Sequence, residues 1–157
     1  MTDREFLRHT LATLAYRAAK PMRDAPPEFA AFRCGPTSRT PAEIVAHLGD
    51  LMEWGGWMAR GTQKWSGSKP GDWHQDVARF FTELEIFDNV LAGPGELGAT
   101  CERLFQGPIA DSLTHVGQLT MLRRLAGTPI RGENYSRADI RTGQLGLTQP
   151  ASLVEFD

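Results

Sequence analysis

Hydrophobic positions recur every three to four residues over much of the chain, and this period predicts amphipathic helices. The first predicted helix begins after Thr2, which is placed to cap it, and it closes at Pro21. The second has Thr40 as its N-cap and continues to about Arg60. Between them, residues 22–40 are rich in proline and glycine, which predicts a long connection.

The second half of the chain shows the same periodicity. Asp72 is a suitable N-cap for a third helix, and a short helix is predicted over residues 96–105. The fourth long helix is predicted to start near Pro108 and to end at Gly127. The third helix carries a broad apolar stripe that predicts a buried face, formed by Val77, Phe80, Phe81, Leu84, Phe87 and Leu91.

Four principal helices joined by two long connections predict an all-α fold, a four-helix bundle with long crossover connections. The length of 157 residues suits a single domain spanning residues 1–157. The bundle is expected over about residues 2–127, with an irregular tail over 128–157 wrapped across it. Alternating strand patterns and internal repeats are not found in the sequence.

Composition narrows the possible partners. The net charge of −2 lacks the basic character of a nucleic-acid-binding domain, so no nucleic acid partner is expected. No apolar run approaches the roughly 18 residues of a membrane span, so no membrane association is expected. The N-terminal segment is not expected to act as a secretory signal, because charges interrupt its apolar pattern. Cys34 and Cys101 match no metal or redox motif, which favours free thiols in the cytoplasm.

Two histidines are the most informative candidates for chemistry. His47 shares a face of the second helix with Ile44 and Leu51, and His115 shares a face of the fourth helix with Leu119. An inward-facing imidazole needs partners for its ring nitrogens, which are either hydrogen-bonding groups of the core or a metal ion. Both interpretations stay open. In either case we predict that the two rings converge inside one bundle.

Two sequence segments carry a resemblance to a known family. The segment HLGDLMEWG on the second helix and the segment DSLTHVGQLTMLRRLAG on the fourth resemble the DinB/YfiT-like superfamily of metal-dependent helical bundles. The tail segment GENYSRADIRTGQLG resembles one branch of that superfamily. With the helix order, the resemblance covers nearly the whole chain. The joint spacing of the motifs carries the resemblance.

The resemblance implies an up-down-down-up bundle that holds a divalent metal, commonly nickel or zinc, through one histidine of helix 2 and two of helix 4. The first two ligands would fall on His47 and His115. The third would lie one turn after His115, where Leu119 cannot coordinate a metal. We therefore expect either that Gln118 or Asp50 supplies the third ligand, or that the site is degenerate and the metal is absent.

The function implied by the resemblance is a metal-dependent thiol transferase or hydrolase that acts on a small molecule, with a low-molecular-weight thiol as a candidate. The alternative is a non-catalytic bundle that binds a small ligand or takes part in a stress-related interaction after losing the metal. Trp54, Leu51 and Leu119 are predicted to line the pocket. A homodimer is expected from the resemblance and from the clustering of all four tryptophans between residues 54 and 73.

Overall fold

The computed structural model describes residues 1–156 and is mostly helical, which confirms the predicted all-α class. A short helix of a single turn precedes the last long helix. Within residues 1–156, each helix is too short or too polar to span a bilayer. The helices are α1 (Asp3–Met22), α2 (Pro41–Ala59), α3 (Trp73–Ala92), α4 (Cys101–Leu104) and α5 (Ala110–Leu125).

The helix starts follow from local sequence signals. Thr2 caps α1 by accepting the backbone N–H of Glu5 at 3.2 Å, and the Glu5 carboxylate accepts the N–H of Thr2 at 2.6 Å. Thr40 and Glu43 form the same reciprocal pair at α2, at 3.2 and 2.7 Å. Such capping boxes satisfy backbone donors that the first helical turn leaves free. The box at Thr40 fixes where α2 begins, and therefore on which face of α2 His47 lies.

The predicted short helix over residues 96–105 and the predicted start near Pro108 are both corrected by the structure. Thr100 caps α4, and the chain then runs into α5 without a break through a π-helical segment, Phe105–Ile109. Pro108 explains the wider turn, because it has no N–H to donate to the carbonyl four residues earlier. The stretch from Cys101 to Leu125 is thus one continuous helical run with a local widening.

A single apolar cluster lies between the helices. The helix α2 packs mainly along α3, while α1 contacts both α3 and α5, and α5 in turn contacts α2. Gly55 makes the α2–α3 approach possible, because a Cβ atom there would lie 2.5 Å from Cε1 of Phe87. Residues with no exposed side-chain surface include Leu11, Leu14, Leu48, Met52, Phe80, Leu84 and Leu119.

The tail is irregular and is fixed to the helices by a buried carboxylate. Its only regular elements within the described residues are a two-residue antiparallel pair, β1 (Gly132–Glu133) with β2 (Glu155–Phe156), and a short 3₁₀ turn at Tyr135–Arg137. The carboxylate of Glu133 accepts hydrogen bonds from the Tyr16 hydroxyl at 2.6 Å and from the Lys20 ammonium group at 3.2 Å. This pairing ties the tail to α1.

Candidate metal centre

The structure brings the imidazoles of His47 and His115 together. Their ring centroids lie 4.7 Å apart and the ring planes are nearly perpendicular, at 88°. His47 projects from the middle of α2 and His115 from α5, two helices that pack against each other. The His47 and His115 side chains are 20% and 12% exposed, so both rings are largely buried but keep some surface that solvent can reach.

Asp111 completes a three-residue group with the histidines. Its Oδ1 lies 3.5 Å from Nε2 of His115, and its Oδ2 lies 3.6 Å from Nε2 of His47. One ligand atom from each of the three residues falls within 4.8 Å of the others. The Asp111 side chain is 47% exposed, which leaves one side of the group open to solvent.

Sequence reasoning missed Asp111 because it searched one turn after His115 rather than one turn before. Positions four residues away on either side of a helical residue share its face. The later position, Leu119, is fully buried in the apolar core. The earlier position is Asp111, the first residue of the segment DSLTH that carried the family resemblance. The spacing Asp-x-x-x-His was the available signal.

The two residues considered as third ligands have other partners. Oε1 of Gln118 lies 2.8 Å from Nδ1 of His115, which is the ring nitrogen opposite the one that faces Asp111. Asp50 is buried, and its carboxylate accepts hydrogen bonds from Ser68 and pairs with Arg79 at 2.8 Å. Gln118 therefore contacts the group from outside, and Asp50 belongs to a separate ion pair.

The aromatic neighbour of His47 is Trp65 rather than Trp54. The Trp65 ring lies 5.6 Å from the His47 ring in an edge-on arrangement, and Trp54 packs against Trp65 at 6.0 Å. Trp54 does line a cavity beside Asp111. Leu51 and Leu119, which were predicted to line the pocket, are instead 2% and 0% exposed within the core.

A charged network holds the loop that carries Trp65. Glu53 on α2 accepts hydrogen bonds from Lys64 at 2.8 Å and from Ser66 at 2.5 Å, on either side of Trp65. Arg79 on α3 bridges Glu53 at 3.0 Å and Asp50 at 2.8 Å. The position of Trp65 over His47 thus depends on contacts between α2, α3 and the connection between them.

The surroundings favour a neutral imidazole at His47. Burial lowers the pKa of His47, the neighbouring His115 and Arg39 lower it further, and Asp111 opposes the shift. Neutral imidazole is the form that binds metal ions, because the free nitrogen then carries a lone pair. The lowered pKa of His47 and the position of its ring beside Asp111 and His115 therefore both favour metal binding.

Three cavities adjoin the group, one beside each of its members. A groove of about 510 Å³ is bounded by His115, a cavity of about 290 Å³ by His47, and an open cavity of about 460 Å³ by Asp111. Small-molecule sites usually have volumes of about 300–1,000 Å³. A ligand can therefore approach the group from more than one direction.

Comparison of the chain with protein-family models, with curated proteins and with solved structures found no match. The resemblance to the DinB/YfiT-like superfamily therefore remains a prediction from the motifs. The group of His47, Asp111 and His115 has the donor atoms and the spacing that could hold a metal ion.

Proposed function

We propose that His47, Asp111 and His115 bind one divalent metal ion, zinc or nickel, and that the protein is a metal-dependent enzyme of the DinB/YfiT-like type. The observation that carries this proposal is the pair of Nε2–carboxylate separations, 3.5 and 3.6 Å. A direct N–H···O hydrogen bond is shorter, about 2.7–3.2 Å. Two ligands about 2.1 Å from a tetrahedral zinc ion lie roughly 3.4 Å apart, which is close to the spacing observed here.

The donor set also suits such a metal. Two neutral imidazoles and one carboxylate are a known ligand combination of catalytic zinc sites, in which three protein ligands leave a position open. Gln118 accepts from Nδ1 of His115, an outer contact of the kind that orients histidine ligands. The exposed side of Asp111 leaves room for water or substrate to approach.

The reaction class we propose is thiol transfer or hydrolysis on a small molecule. A bound metal supplies this chemistry by lowering the pKa of a water molecule or of a thiol, which yields a nucleophile near neutral pH. The protein contributes the positions of three ligands on two packed helices. The Trp65 ring lies edge-on to the ring of His47, at 5.6 Å, and bounds the cavity on that side. A low-molecular-weight thiol is the co-substrate that we propose.

Fold topology and assembly form part of the same proposal. We propose an up-down-down-up four-helix bundle, supported by the contacts of α1 with α3 and α5 and of α2 with α3 and α5. We also propose a cytoplasmic homodimer. Phe6 and Phe105 are 54% and 40% exposed and line one groove, away from the groove beside His115, so they offer an apolar patch for a second copy. Sedimentation velocity will test the dimer, and a monomer at all concentrations contradicts it.

A non-catalytic, ligand-binding bundle is the second candidate. The groove beside His115 supports it, because its volume of about 510 Å³ suits a small molecule whether or not a metal is present. Under this alternative the two imidazoles would face Asp111 without a metal ion. Metal binding therefore separates the two candidates.

The test is a metal titration of protein purified without a histidine tag and stripped with a chelator. We expect one equivalent of Zn²⁺ to bind, and Co²⁺ to give the visible absorption of a tetrahedral site. His47→Ala, Asp111→Ala and His115→Ala should each weaken binding by more than about 100-fold, beyond the effect of an outer-shell change. His74→Ala is the matched control, because His74 is exposed at the start of α3.

Two results would contradict the metal proposal. One is the absence of stoichiometric binding by the wild-type protein. The other is a metal affinity that is unchanged in Asp111→Ala, because the Asp111 carboxylate would then not be a ligand. If the wild type binds no metal but retains a compact helical fold, the non-catalytic alternative is favoured.

A further inference from the structure

A guanidinium group that has no ion-pair partner among residues 1–156 lies beside the candidate metal centre. Arg39, which directly precedes the α2 N-cap, lines both the groove next to His115 and the cavity next to His47. Its charge acts on His47, whose pKa it helps to lower. Within residues 1–156, no carboxylate lies within 4.0 Å of Arg39, whereas eleven ion-pair contacts join other residues.

The nearby carboxylates are already engaged elsewhere. Glu43 accepts the N–H of Thr40 at 2.7 Å and pairs with Arg33 at 3.4 Å. Asp50, which bounds the cavity by His47, pairs with Arg79. Arg39 therefore leaves a positive charge at the junction of the two cavities, and this charge is free to meet an anion from solution.

The groove that continues from Arg39 has a largely apolar wall. Ile44 on α2 and Met121, Leu122 and Leu125 on α5 form that wall. Met121 and Leu125 are each 56% exposed, so a substantial apolar surface faces the groove and the solvent. An apolar strip that begins at a cationic group is complementary to a molecule with an anionic head and an apolar body.

We propose that this groove is a binding site for a small amphipathic carboxylate, with Arg39 holding the carboxylate and the strip Ile44–Met121–Leu122–Leu125 holding the apolar body. Guanidinium pairs with carboxylate through two parallel hydrogen bonds, a geometry that a lysine cannot reproduce. Lys69, in the cavity by His47, adds a second positive charge and disfavours cationic ligands. The site thus selects by charge and by apolar contact together.

This inference rests on the proposed function in one respect. His115 also lines the groove. A ligand whose carboxylate is held by Arg39 would therefore have the atoms next to that carboxylate near the proposed metal centre. Such a ligand would indicate the substrate class of the proposed enzyme. The contacts of Arg39 and of the apolar strip do not themselves require a metal. Binding can therefore be measured in metal-free protein, which separates the two proposals experimentally.

The experiment compares octanoate, 1-octanol and octylamine, which share an apolar chain and differ in the head group. Binding to metal-free and to zinc-treated protein is followed by ¹H–¹⁵N chemical-shift titration, with the shifts mapped onto the backbone. We expect octanoate to bind at least about 10-fold more tightly than the other two, as a charge-assisted hydrogen bond predicts. The largest shifts should fall at residues 37–44 and 118–125.

Arg39→Gln should weaken octanoate binding about 10-fold and leave octanol binding unchanged, because only the charged contact is lost. Arg33→Gln is the matched control, since Arg33 is an exposed arginine of the same connection that already pairs with Glu43. Met121→Ser should weaken octanoate and octanol to the same extent. A second copy of the chain covering the strip would show as a dimer that octanoate does not dissociate.

Equal octanoate affinity in the wild type and Arg39→Gln overturns the proposal, as do octanoate shifts that fall away from the groove or a dimer that blocks it. If zinc binds through the three ligands but Arg39→Gln does not change the octanoate affinity, the carboxylate site is wrong and the metal centre is supported. If octanoate binds to metal-free protein through Arg39 but zinc does not bind, the metal centre is wrong and the carboxylate site is supported.

Discussion

Oε1 of Gln118 lies 2.8 Å from Nδ1 of His115, three residues earlier on the same helix. Because the amide oxygen accepts a hydrogen bond, Nδ1 of the neutral ring carries the proton and Nε2 is left with its lone pair. That lone pair is on the nitrogen that faces Asp111. Gln118 thus fixes both the tautomer and the orientation in which His115 meets the rest of the group.

Removing this contact should weaken metal binding without abolishing it. For Gln118→Leu we expect the zinc affinity to fall by about 10-fold, the size of effect seen when an outer-shell partner is lost. Gln118→Glu keeps the acceptor and should retain the affinity. Competition titration with a chromophoric chelator measures the change. Gln75→Leu, an exposed glutamine at the start of α3, is the control, and equal affinity of Gln118→Leu and the wild type would show that Gln118 has no role.

The parts of the structure that follow from local chemistry were predictable. The capping residues Thr2 and Thr40 act on N–H groups within their own first turn, so the starts of α1 and α2 can be identified from sequence. The helical period then assigns each residue to a face. That was enough to predict inward positions for His47 and His115 and their convergence.

The parts that depend on how elements pack were not predictable. Which neighbour of His115 meets His47 is decided by the rotation of α5 against α2, and this rotation buries Leu119 and brings forward Asp111. Likewise, Trp65 lies in a connection without periodicity, and it is placed over His47 by side-chain contacts to Glu53 that are remote in sequence. The family resemblance directed the search for a third ligand to the turn after His115, and Asp111, one turn before it, was therefore overlooked.

Acid should weaken the attachment of the connection that carries Trp65, because this attachment depends on the ionised carboxylate of Glu53. Burial opposes ionisation of this carboxyl, but hydrogen bonds from Lys64 and Ser66 and the charges of Lys64 and Arg79 outweigh it and lower the pKa to about 2. A lowered pKa stabilises the folded state above the unfolded value of about 4.3, and this stabilisation is lost as the pH falls through 2.

For Glu53→Gln we accordingly expect a lower free energy of unfolding at pH 7, by roughly 1–3 kcal/mol. The difference from the wild type should shrink as the pH is lowered from about 4.3 towards 2. Urea unfolding at a series of pH values measures it. Glu85→Gln, an exposed carboxylate on α3, is the control. A difference that stays constant down to the lowest pH would mean that the Glu53 charge does not act through these contacts.

Two helical glycines should respond in opposite ways to alanine. At Gly55 a new Cβ would lie 2.5 Å from Cε1 and 2.8 Å from Cδ1 of Phe87, a ring with no exposed surface. Gly55→Ala should therefore destabilise the fold by about 1–3 kcal/mol through overpacking. At Gly117 on α5, no atom of residues 1–156 outside the local helix lies within 4 Å of a new Cβ. Gly117→Ala should stabilise the protein by about 0.5–1 kcal/mol, because alanine favours helix.

Thermal unfolding followed by circular dichroism distinguishes the two glycine variants. Opposite shifts in melting temperature are expected, with Gly55→Ala below the wild type and Gly117→Ala above it. A melting temperature for Gly55→Ala at or above the wild-type value would mean that α2 and α3 can separate to admit the methyl group, and that the close approach is not required.

The attachment of the tail should depend on the hydroxyl of Tyr16. This hydroxyl donates to the buried carboxylate of Glu133 at 2.6 Å, and burial followed by this hydrogen bond raises the pKa of Tyr16 to about 12. A raised pKa stabilises the folded state fully below the unfolded value of about 10, and the stabilisation is lost as the pH rises from there through 12. Tyr16→Phe should lower the free energy of unfolding by about 1–3 kcal/mol at pH 7, because Glu133 loses one donor.

Tyr135→Phe provides the control for the tail. It retains the ring that packs edge-on against Tyr16 and under Arg17, and it removes a hydroxyl that makes no hydrogen bond to any of residues 1–156. Limited proteolysis should therefore cleave within residues 128–156 faster in Tyr16→Phe than in Tyr135→Phe. Equal cleavage rates would mean that Lys20 and Ser152, the other donors to Glu133, are sufficient to hold the tail against α1.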